Sequence, residues 1–427
     1  MYILMTFYKN KKIIYLNFRL FIRTLKNMTN THLYDSPDLT HNTYTIDRGE
    51  ENKLVESLDT RTDAEAGRIK RYLDMADLSR TKDSPLSEVI SRVKQLPTFK
   101  QFDEIAIPEI VPAKESFDLF NFPPEHPARS KSDTYYVDEE NILRTHTTVM
   151  WYYYFNQGDV QEKIKAHKTL GVICHGKVYR KDEIDRRHMN IFHQIDGLYL
   201  CPKTEHEITQ NDLKDVLIEV AQGVFGDKIA YRFNPDTFPY TYESLEMEVD
   251  KNSLNTEKNT EEWVEVLGAG IVQPNVLEKL GVDSTAYNGW AFGFGLERLA
   301  IISMELPDIR LLWSNDARVK KQLQLGHTFV EVSKFPPIVR DISFIVGNDF
   351  IPNNYFDTVR DIIGDLAEEV QLLDRYENAD KFGAGKVSYA YRITYRSLDR
   401  TLTDTEINDL HKKLEQTTVS LYDATIR

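Results

Sequence analysis

Apolar and polar residues alternate along this chain of 427 residues with two different periods, and each period predicts a kind of element. A period of two is typical of strands, and a period near 3.6 is typical of amphipathic helices. Strands are predicted at residues 102–110, 169–180, 191–200, 231–242, 245–249, 263–271 and 290–295. Helices are predicted at residues 84–96 and 209–225 and from residue 297 onward, the first with Ser84 as its N-cap.

From residue 330 the elements become regular in order. Strands are predicted at residues 330–332, 339–346, 370–376 and 387–395, helices at 356–366 and 404–421, and a closing strand at 425–426. The order from residue 339 is β-α-β-β-α-β, which is that of a split-βαβ, ferredoxin-like module.

The stretch 290–310 joins a glycine-punctuated strand directly to a helix. Apolar residues alternate with Gly293 and Gly295, and Arg298 follows at the start of the helix. Glycine in a strand lowers its stability, and one reason to keep it is that a flat group lies against the backbone there. In this interpretation the neighbouring Arg298 binds a phosphate. Taken alone, the pattern fits a tight strand–helix joint with a surface arginine at least as well.

An antiparallel hairpin is predicted between residues 169 and 200, with a charged loop too long for a simple turn. Its first strand ends in Arg180, and on its second strand Phe192, Gln194 and Asp196 share a face. Glutamine and aspartate on an otherwise apolar strand indicate either the solvent side of a sheet or the wall of a pocket.

Carboxylates also alternate at Glu246 and Glu248, and Glu265 stands between two valines on a later strand. Such carboxylates usually face solvent. On a closed face they would instead suit a magnesium ion held together with a phosphate.

Composition narrows the classes of protein that the chain can be. The net charge of -14 argues against a general polyanion binder, so any contact with nucleic acid must come from a local patch. Two cysteines, Cys174 and Cys201, exclude a disulfide scaffold and a cysteine-based zinc site. The sequence has no apolar run as long as a membrane span, so we expect no membrane association.

The N-terminal residues 1–34 carry six Lys or Arg residues and no acid. That bias suits a mitochondrial presequence, although the stretch lacks serine and has more lysine than arginine. A true start at Met28, with translated upstream sequence before it, explains the composition equally well. Composition leaves both interpretations open.

Several motifs together resemble a known family. The hairpin strand ending in Arg180 and the strand–helix junction 295–298 (GLER) resemble motifs 2 and 3 of class II aminoacyl-tRNA synthetases, and the strand 102–110 with Pro108 resembles motif 1. The segments that narrow the resemblance to phenylalanyl-tRNA synthetases are PEHPAR (124–129), RTHT (144–147), FHQ (192–194), FPY (238–240) and WAFG (290–293). Residues 333–427 resemble the ferredoxin-fold anticodon-binding domain that the single-chain, mitochondrial type of this family carries.

The resemblance implies an α+β fold, with the class II antiparallel sheet flanked by helices and a C-terminal ferredoxin-like domain. It divides the chain into a partly flexible N-terminal extension (1–83), a catalytic domain (84–312), a linker (313–326) and an anticodon-binding domain (327–427). It also implies ATP-dependent activation of L-phenylalanine to an adenylate and transfer to tRNA(Phe), with Mg²⁺ as cofactor. We expect a monomer located in the mitochondrial matrix, the cytoplasm being the alternative.

The resemblance also assigns roles to residues. Arg180 and Arg298 would be catalytic, clamping the α- and γ-phosphates. The further ATP-binding residues would be Asp182, Arg187, His188, Phe192 and Glu265. Glu265 and Glu246 would face the metal. The substrate-binding residues would be His146, Thr148, Trp151, Gln194, Asp196, Phe238, Tyr240, Ala291 and Phe292. Arg392, Arg396 and Arg400, which cluster around Tyr391 and Tyr395 in the sequence, would bind tRNA. The alternative for each of these arginines is an ion-paired surface.

Five positions depart from the family pattern. Aspartate stands at Asp182 and Asp196 where glutamate is usual, and Tyr240 replaces a phenylalanine of the ring pocket. The family has an HTS segment with a glutamine three residues after it. Here Thr148 stands in place of the serine and Trp151 in place of the glutamine. The changed HTS segment bears on how the α-amino group of the substrate is bound, and Tyr240 adds a hydroxyl near the ring pocket.

Two other classes of function fit parts of the same pattern. A non-catalytic tRNA-binding paralogue would keep the fold but lose Arg180 or Arg298, and both are present. An amino-acid ligase with a non-tRNA acceptor would have no use for the C-terminal domain. We therefore expect deletion of residues 325–427 to leave pyrophosphate exchange measurable while sharply reducing tRNA charging.

Overall fold

The fold is taken from a computed structural model that describes residues 33–183, 185–254, 260–332 and 335–427. Its strands are β1 (Thr43–Thr45), β2 (Asp103–Ala106), β3 (Ile110–Pro112), β4 (Asn141–Leu143), β5 (Leu170–Tyr179), β6 (Ile191–Pro202), β7 (Ala230–Pro235), β8 (Thr241–Asp250), β9 (Trp263–Val272), β10 (Tyr287–Gly295), β11 (Ile338–Gly347), β12 (Ala367–Glu377), β13 (Lys386–Tyr395) and β14 (Thr425–Ile426). Its α-helices are α1 (Gly49–Asp59), α2 (Ala64–Asp74), α3 (Pro85–Gln95), α4 (Ala113–Phe117), α5 (Met150–Phe155), α6 (Gly158–Lys165), α7 (Gln210–Phe225), α8 (Pro274–Lys279), α9 (Leu296–Met304), α10 (Ala317–Lys320), α11 (Pro352–Ile363), α12 (Ala379–Phe382) and α13 (Asp404–Tyr422).

Side-chain caps fix where the predicted helices begin. Ser84 accepts a hydrogen bond from the Leu86 amide at the start of α3, with Pro85 as the first helical residue. Thr209 starts α7 with a reciprocal capping box. Thr403, rather than the alternative residue after it, caps α13.

Eight strands form one sheet in the order β1-β2-β5-β6-β10-β9-β8-β7. Every pair is antiparallel except β1–β2 and β2–β5, which are parallel. Strands β5 and β6 form the predicted hairpin, with Tyr179 opposite Ile191. This sheet, with its flanking helices, confirms the predicted α+β class.

Apolar side chains on the two faces of the sheet build two cores. Helices α3, α7 and α9 cover one face, where Trp290 and Phe292 of β10 are buried. Helix α5 and its neighbours cover the other face, where Leu198 of β6 and Ala291 of β10 are buried. On the α5 side of β6, Leu198 is preceded two residues earlier in the strand by Asp196. The side chains on this face therefore change from apolar to polar along the strand.

The C-terminal domain has the predicted β-α-β-β-α-β order, with a four-stranded sheet in the order β12-β13-β11-β14. Its core includes Phe344 and Tyr391 from the sheet together with Val359 of α11 and Leu414 of α13. The ferredoxin-like prediction is confirmed.

Three predicted strands differ in the structure. The strand predicted at 231–242 ends at Pro235 with β7, and residues 236–240 form a turn before β8 begins at Thr241. Residues 330–332 form no strand, and Val330 is exposed. The strand predicted at 102–110 is two strands, β2 and β3, in different sheets. Pro108 lies between them and can donate no ladder hydrogen bond, so the chain leaves the large sheet there.

The predicted domain boundaries do not coincide with breaks in packing. Residues 1–32 of the predicted extension lie outside the described residues, but β1 joins the large sheet, and Tyr34 and Leu78 are buried in its core. The predicted linker 313–326 contains α10, and its Val319 and Leu323 lie in the same core. The described residues of both segments pack against the large sheet and its helices, because their apolar side chains are buried in that core.

Among the helices that the structure describes, none combines the length and the apolarity that crossing a membrane requires.

We predict that Gly289→Ala destabilises the protein strongly. A Cβ atom at this position of β10 would lie 1.9 Å from the main-chain oxygen of Tyr199, which no change of rotamer can relieve. We expect the free energy of unfolding in urea to fall by about 3 kcal/mol or more. Gly158→Ala is the matched control, because nothing lies within 4 Å of its added Cβ in helix α6. Equal stability of the two variants would contradict the prediction.

Candidate active site

A cavity of about 530 Å³ opens on the α5 side of the large sheet, a volume suited to a small-molecule ligand. Most of the predicted site residues line it together. They are His146, Thr148, Arg180, Asp182, Arg187, His188, Phe192, Gln194, Asp196, Phe238, Tyr240, Glu265 and Arg298.

Arg180 directly follows the last residue of β5, on the face of the hairpin that carries Cys174 and Val178. Its Nε donates to the carbonyl oxygen of Thr145 at 3.0 Å, and its guanidinium lies 5.1 Å from the centroid of the Phe192 ring. The side chain is exposed to the cavity, and the loss of hydration among the cavity walls lowers its pKa from the ordinary value. Arginine nevertheless remains charged, so the cavity wall carries a fixed cation.

Arg298 reaches the same cavity from the first turn of α9, directly after β10. It donates to the main-chain oxygen of Glu265 at 2.9 Å and lies 3.5 Å from that residue's carboxylate. Its side chain is about half exposed, at 45%. The two arginines, delivered by separate elements, therefore face one space.

The two glycines of the strand–helix junction have different explanations. A Cβ at Gly293 would lie 2.8 Å from Oδ1 of Asp196, so the neighbouring carboxylate requires glycine there. A Cβ at Gly295 would meet nothing within 4 Å, and this residue lines the cavity. Only at Gly295 does the backbone leave room for a flat group.

Asp196 is a buried carboxylate at the end of the cavity nearest the core. Thr147 donates to its Oδ2, and Thr148 donates to its Oδ1 at 2.5 Å. Burial raises its pKa to about 6, although the two hydroxyls and Arg180 act in the opposite direction. The group is therefore mainly ionised at pH 7.

His146 and Gln194 supply two further hydrogen-bond acceptors. The Nε2 of His146 lies 3.2 Å from the carbonyl oxygen of Ser116 and must donate to it, which leaves Nδ1 as the acceptor of a neutral ring. Burial lowers the pKa of His146 to about 4, consistent with that neutral form. Neither His146 Nδ1 nor Gln194 Oε1, both buried, has a hydrogen-bond partner within the described part of the chain.

Aromatic rings form the wall beside these acceptors. Phe238 and Tyr240 line the cavity, with ring centroids 6.1 Å apart. Trp151 does not line it but packs behind Tyr240 at 6.0 Å, and the Trp151 indole N–H is buried without a partner among the residues described. Burial raises the pKa of Tyr240, so its hydroxyl, close to that of Thr148, stays protonated.

Ala291 and Phe292 border only a small space of about 10 Å³ behind this wall. Neighbouring residues of a strand point to opposite faces, so only one of these side chains can face the substrate side. The Phe292 ring stacks with Trp290 at 5.7 Å and Phe294 at 5.5 Å in the core on the other face. The Phe292 ring therefore packs mainly in that core, and its assignment to the pocket wall stays a prediction.

The two predicted metal-facing carboxylates are not equivalent. Glu265 lines the cavity beside Arg298, whereas Glu246 is absent from its lining and accepts a hydrogen bond from Asn234 at 2.9 Å. Throughout the described ranges, no three His, Cys, Asp or Glu side chains are grouped to hold a metal ion. A Mg²⁺ ion held by a single carboxylate and by substrate phosphates remains compatible with this arrangement.

The loop between β5 and β6 brings Asp182, Arg187 and His188 to the cavity. Asp185 shapes its second half by accepting from the amides of Arg187 and His188, at 2.6 and 2.8 Å. Its carboxylate also pairs with His188 Nδ1 at 2.8 Å, which raises the pKa of that imidazole.

The three arginines proposed for tRNA lie in the C-terminal domain, each with an acidic partner. Arg392 of β13 pairs with Asp341 of the neighbouring β11 at 2.7 Å, and both residues are exposed. Arg400 pairs with Glu406. Arg396 is held by Glu368 at 2.9 Å and by a main-chain oxygen at 3.1 Å. Glu368 also pairs with Arg186 of the loop between β5 and β6, so Arg396 lies in the joint between the domains.

Some residues of the cavity wall were not predicted. They are Phe122, His126, Met189, Thr237, Gly268, Gly295 and Ile309 among others, and Thr147 lies just behind the wall. Thr147 stands beside a predicted residue, and Gly295 was singled out in the sequence. Phe122 lies in a loop without a periodic pattern, and Thr237 lies in the turn that interrupts the strand predicted at 231–242, so no local signal marks either as a cavity residue.

Comparison with known proteins agrees with this geometry. Residues 70–323 match the family model of the class II core domain (F) of tRNA synthetases. Residues 333–427 match that of the ferredoxin-fold anticodon-binding domain.

Relatives include a chloroplastic/mitochondrial phenylalanine–tRNA ligase of Arabidopsis thaliana, 38% identical, the alignment covering 74% of this chain and 70% of that protein. The mitochondrial phenylalanine–tRNA ligase of Mus musculus is 32% identical over 81% of this chain and 82% of its own length. That of Saccharomyces cerevisiae is 29% identical over 77% of this chain and 84% of its own length. With both domains matched and both arginines in one cavity, the chain belongs to the phenylalanine–tRNA ligase family of class II aminoacyl-tRNA synthetases.

Proposed function

We propose that this chain activates L-phenylalanine with ATP and transfers the phenylalanyl group to the 3′-terminal adenosine of tRNA(Phe). Members of its class are ligases that use ATP and a divalent metal ion. The observation that carries the proposal is the single cavity in which Arg180, Arg298 and the acceptors around Asp196 meet. A phosphate-binding end and an ammonium-binding end in one space suit the joining of an amino acid to a nucleotide.

The first step needs no protein nucleophile. A carboxylate oxygen of phenylalanine attacks the α-phosphorus of ATP, an O–P bond forms, and pyrophosphate leaves with the electron pair of the broken P–O bond. Arg180 stabilises the charge on the α-phosphate, and Arg298 holds the γ-phosphate folded back toward it. Phe192 stacks on the adenine, and Asp182, Arg187 and His188 lie near the base and phosphates. Fixed cations and fixed orientation supply the rate enhancement.

Recognition of phenylalanine uses three acceptors for the three protons of its ammonium group. These are the Asp196 carboxylate, Gln194 Oε1 and His146 Nδ1, the last two without another partner within the described ranges. The aromatic ring packs against Phe238 and Tyr240, with Ala291 at the back. Because an unpaired buried acceptor costs about 1–3 kcal/mol, the pocket favours a ligand that carries donors.

Mg²⁺ fits as the divalent ion if ATP provides most of its ligands. Glu265 would hold it together with the phosphates, and the bound ion would neutralise charge on the leaving pyrophosphate. Glu246 would join only if its bond to Asn234 broke.

In the second step the ribose hydroxyl of the terminal adenosine attacks the carbonyl carbon of the adenylate, and AMP leaves. The C-terminal domain would bind the anticodon end of tRNA(Phe), with Arg392 and Arg400 exposed for phosphate contacts. Relatives named mitochondrial and the basic N-terminal residues 1–34 support a place in the mitochondrial matrix. Strand β1 covers the edge of β2, the first strand of the motif 1 segment, which supports a monomer.

We predict that Arg298→Ala abolishes phenylalanine-dependent pyrophosphate exchange, a loss of at least about 100-fold, because the γ-phosphate loses its cation. Measured across twenty amino acids, exchange by the wild type should be confined to phenylalanine. Arg318→Ala, which removes an exposed arginine that pairs with Asp316 outside the cavity, is the control. Exchange that survives in Arg298→Ala would remove this residue from the site, and a wild type inactive with every amino acid would favour the non-catalytic paralogue.

We predict that the KM for phenylalanine rises as pH falls below about 6, because protonation of Asp196 removes the partner of the ammonium group. The carboxylate is ionised above its pKa and neutral below it, so KM should be constant near pH 7.5 and climb about tenfold per unit under acid conditions. Thr147→Val removes a hydroxyl that lowers this pKa, so the rise should begin at higher pH.

Thr237→Val is the matched control for this profile, since Thr237 also lines the cavity without bonding Asp196. A pH profile of KM that is identical in wild type and Thr147→Val would show that Asp196 does not bind the ammonium group.

We predict that Arg392→Ala raises the KM for tRNA without changing pyrophosphate exchange. A lost phosphate contact should reduce the slope of log affinity against log salt by about one. Exchange measured on the same preparation serves as the control. An unchanged KM for tRNA would mean that the Arg392–Asp341 pair does not open for a phosphate.

A further inference from the structure

Helix α11 of the C-terminal domain contacts the loop that carries the predicted nucleotide-binding residues. Arg360 donates from its two terminal nitrogens to the main-chain oxygens of Asp182, at 3.2 Å, and Glu183, at 2.8 Å. Its side chain is largely buried, 18% exposed. A guanidinium that holds two successive carbonyls fixes the direction of the chain between them, because its donors are rigidly spaced. Asp182, at the first of these bonds, lines the cavity.

The helix itself is anchored, so Arg360 acts from a fixed position. Asp357, one turn earlier, is fully buried and accepts hydrogen bonds from Tyr135 at 2.8 Å and Asn190 at 3.0 Å. The guanidinium of Arg68 lies 3.6 Å from its other oxygen. Asn190 directly precedes β6, so one helix holds both the beginning and the end of the loop.

A second tie holds the middle of the loop. Arg186 pairs with Glu368 of β12 at 2.6 Å, and Arg396 occupies the other oxygen of that carboxylate at 2.9 Å. Glu368 is 3% exposed, so its charge depends on these two partners. The Arg186 carbonyl also accepts from the Ile309 amide at 2.9 Å. Arg187 and His188 follow at once and point to the cavity.

We propose that Arg360 is a positioning residue of the ATP site, through which the docked C-terminal domain sets the affinity for ATP before any tRNA is bound. The inference rests on the proposed function. Arg360 does not reach the cavity lining, so it acts through the backbone of residues 182 and 183. Without its two hydrogen bonds the loop is more mobile. Binding of ATP must then order Asp182, Arg187 and His188, and this loss of entropy weakens the affinity for ATP.

This proposal changes the expectation for the deletion of residues 325–427. Removing the domain would release the nucleotide loop and would also leave Arg68 and Asn190 without the Asp357 carboxylate. We now expect phenylalanine activation to fall together with tRNA charging. The deletion therefore no longer separates a tRNA ligase from a ligase with another acceptor, and point variants of the full chain are the cleaner test.

The test uses Arg360→Ala, Arg360→Lys and, as matched control, Arg375→Ala, which removes an exposed arginine of the same domain paired with Glu377. In phenylalanine-dependent pyrophosphate exchange without tRNA, Arg360→Ala should raise the KM for ATP about tenfold, the loss of roughly one charge-assisted hydrogen bond. The KM for phenylalanine should stay within about twofold. Arg360→Lys should be intermediate, because an ammonium is a point charge without the fork geometry. Arg375→Ala should match the wild type.

Two further measurements keep the outcome clear. Calorimetric titration of Mg²⁺-ATP onto the full chain should show the same weakening in Arg360→Ala, and it reports binding even if the chain forms no adenylate. If Arg360→Ala fails to fold, Glu368→Gln tests the second tie and should weaken ATP binding in the same direction. An unchanged affinity for ATP in a folded variant, or equal losses in both substrates' KM values, would overturn the proposal. Absence of exchange in the wild type would instead count against the proposed function.

Discussion

The register of three neighbouring strands, β5, β6 and β10, decides whether this site exists. Gly295 lies opposite Gln194, and Val178 lies opposite Phe192. A slip of one residue in either pair would turn the polar row of β6 into the core and its apolar row into the cavity. The register is held because the opposite face of β6 buries Ile195 and Tyr199. Apolar packing on one face of β6 thus keeps Phe192, Gln194 and Asp196 on the other face, toward the cavity.

His193, on the core face of β6, stabilises the position of β6 relative to the start of α9. The backbone amide and Nδ1 of this buried residue both interact with the carboxylate of Glu297, at distances of 2.6 to 3.0 Å. Glu297 immediately precedes Arg298, so the bond ties the middle strand of the site to the start of α9. The position of Arg298, the arginine proposed to bind the γ-phosphate, therefore depends on hydrogen bonds made on the core side of the sheet. A static, preorganised cation of this kind is what electrostatic catalysis requires.

A large part of this site could be predicted from the sequence, because many of its residues lie in short motifs or strands whose pattern is visible in neighbouring residues. The period of two places Phe192, Gln194 and Asp196 on one face, and the structure lines the cavity with all three. Strand β1 was not predicted, since its three residues carry no periodic signal. It forms by pairing with β2, which lies about 60 residues later in the chain. The same limit applies to Arg396, whose role in the domain joint depends on Glu368, 28 residues away.

Four of the departures from the family pattern form one connected cluster rather than scattered changes. Thr148 bonds Asp196, the Tyr240 hydroxyl lies close to Thr148, and Trp151 packs on the Tyr240 ring. A carboxylate one methylene shorter ends further from the cavity, and here threonine hydroxyls meet both of its oxygens. The large indole fills the volume behind the ring wall, where no water-accessible surface remains on it. Because each of these residues touches another, reverting one alone would leave its neighbour mispaired, and the effects of single and combined reversions would not add.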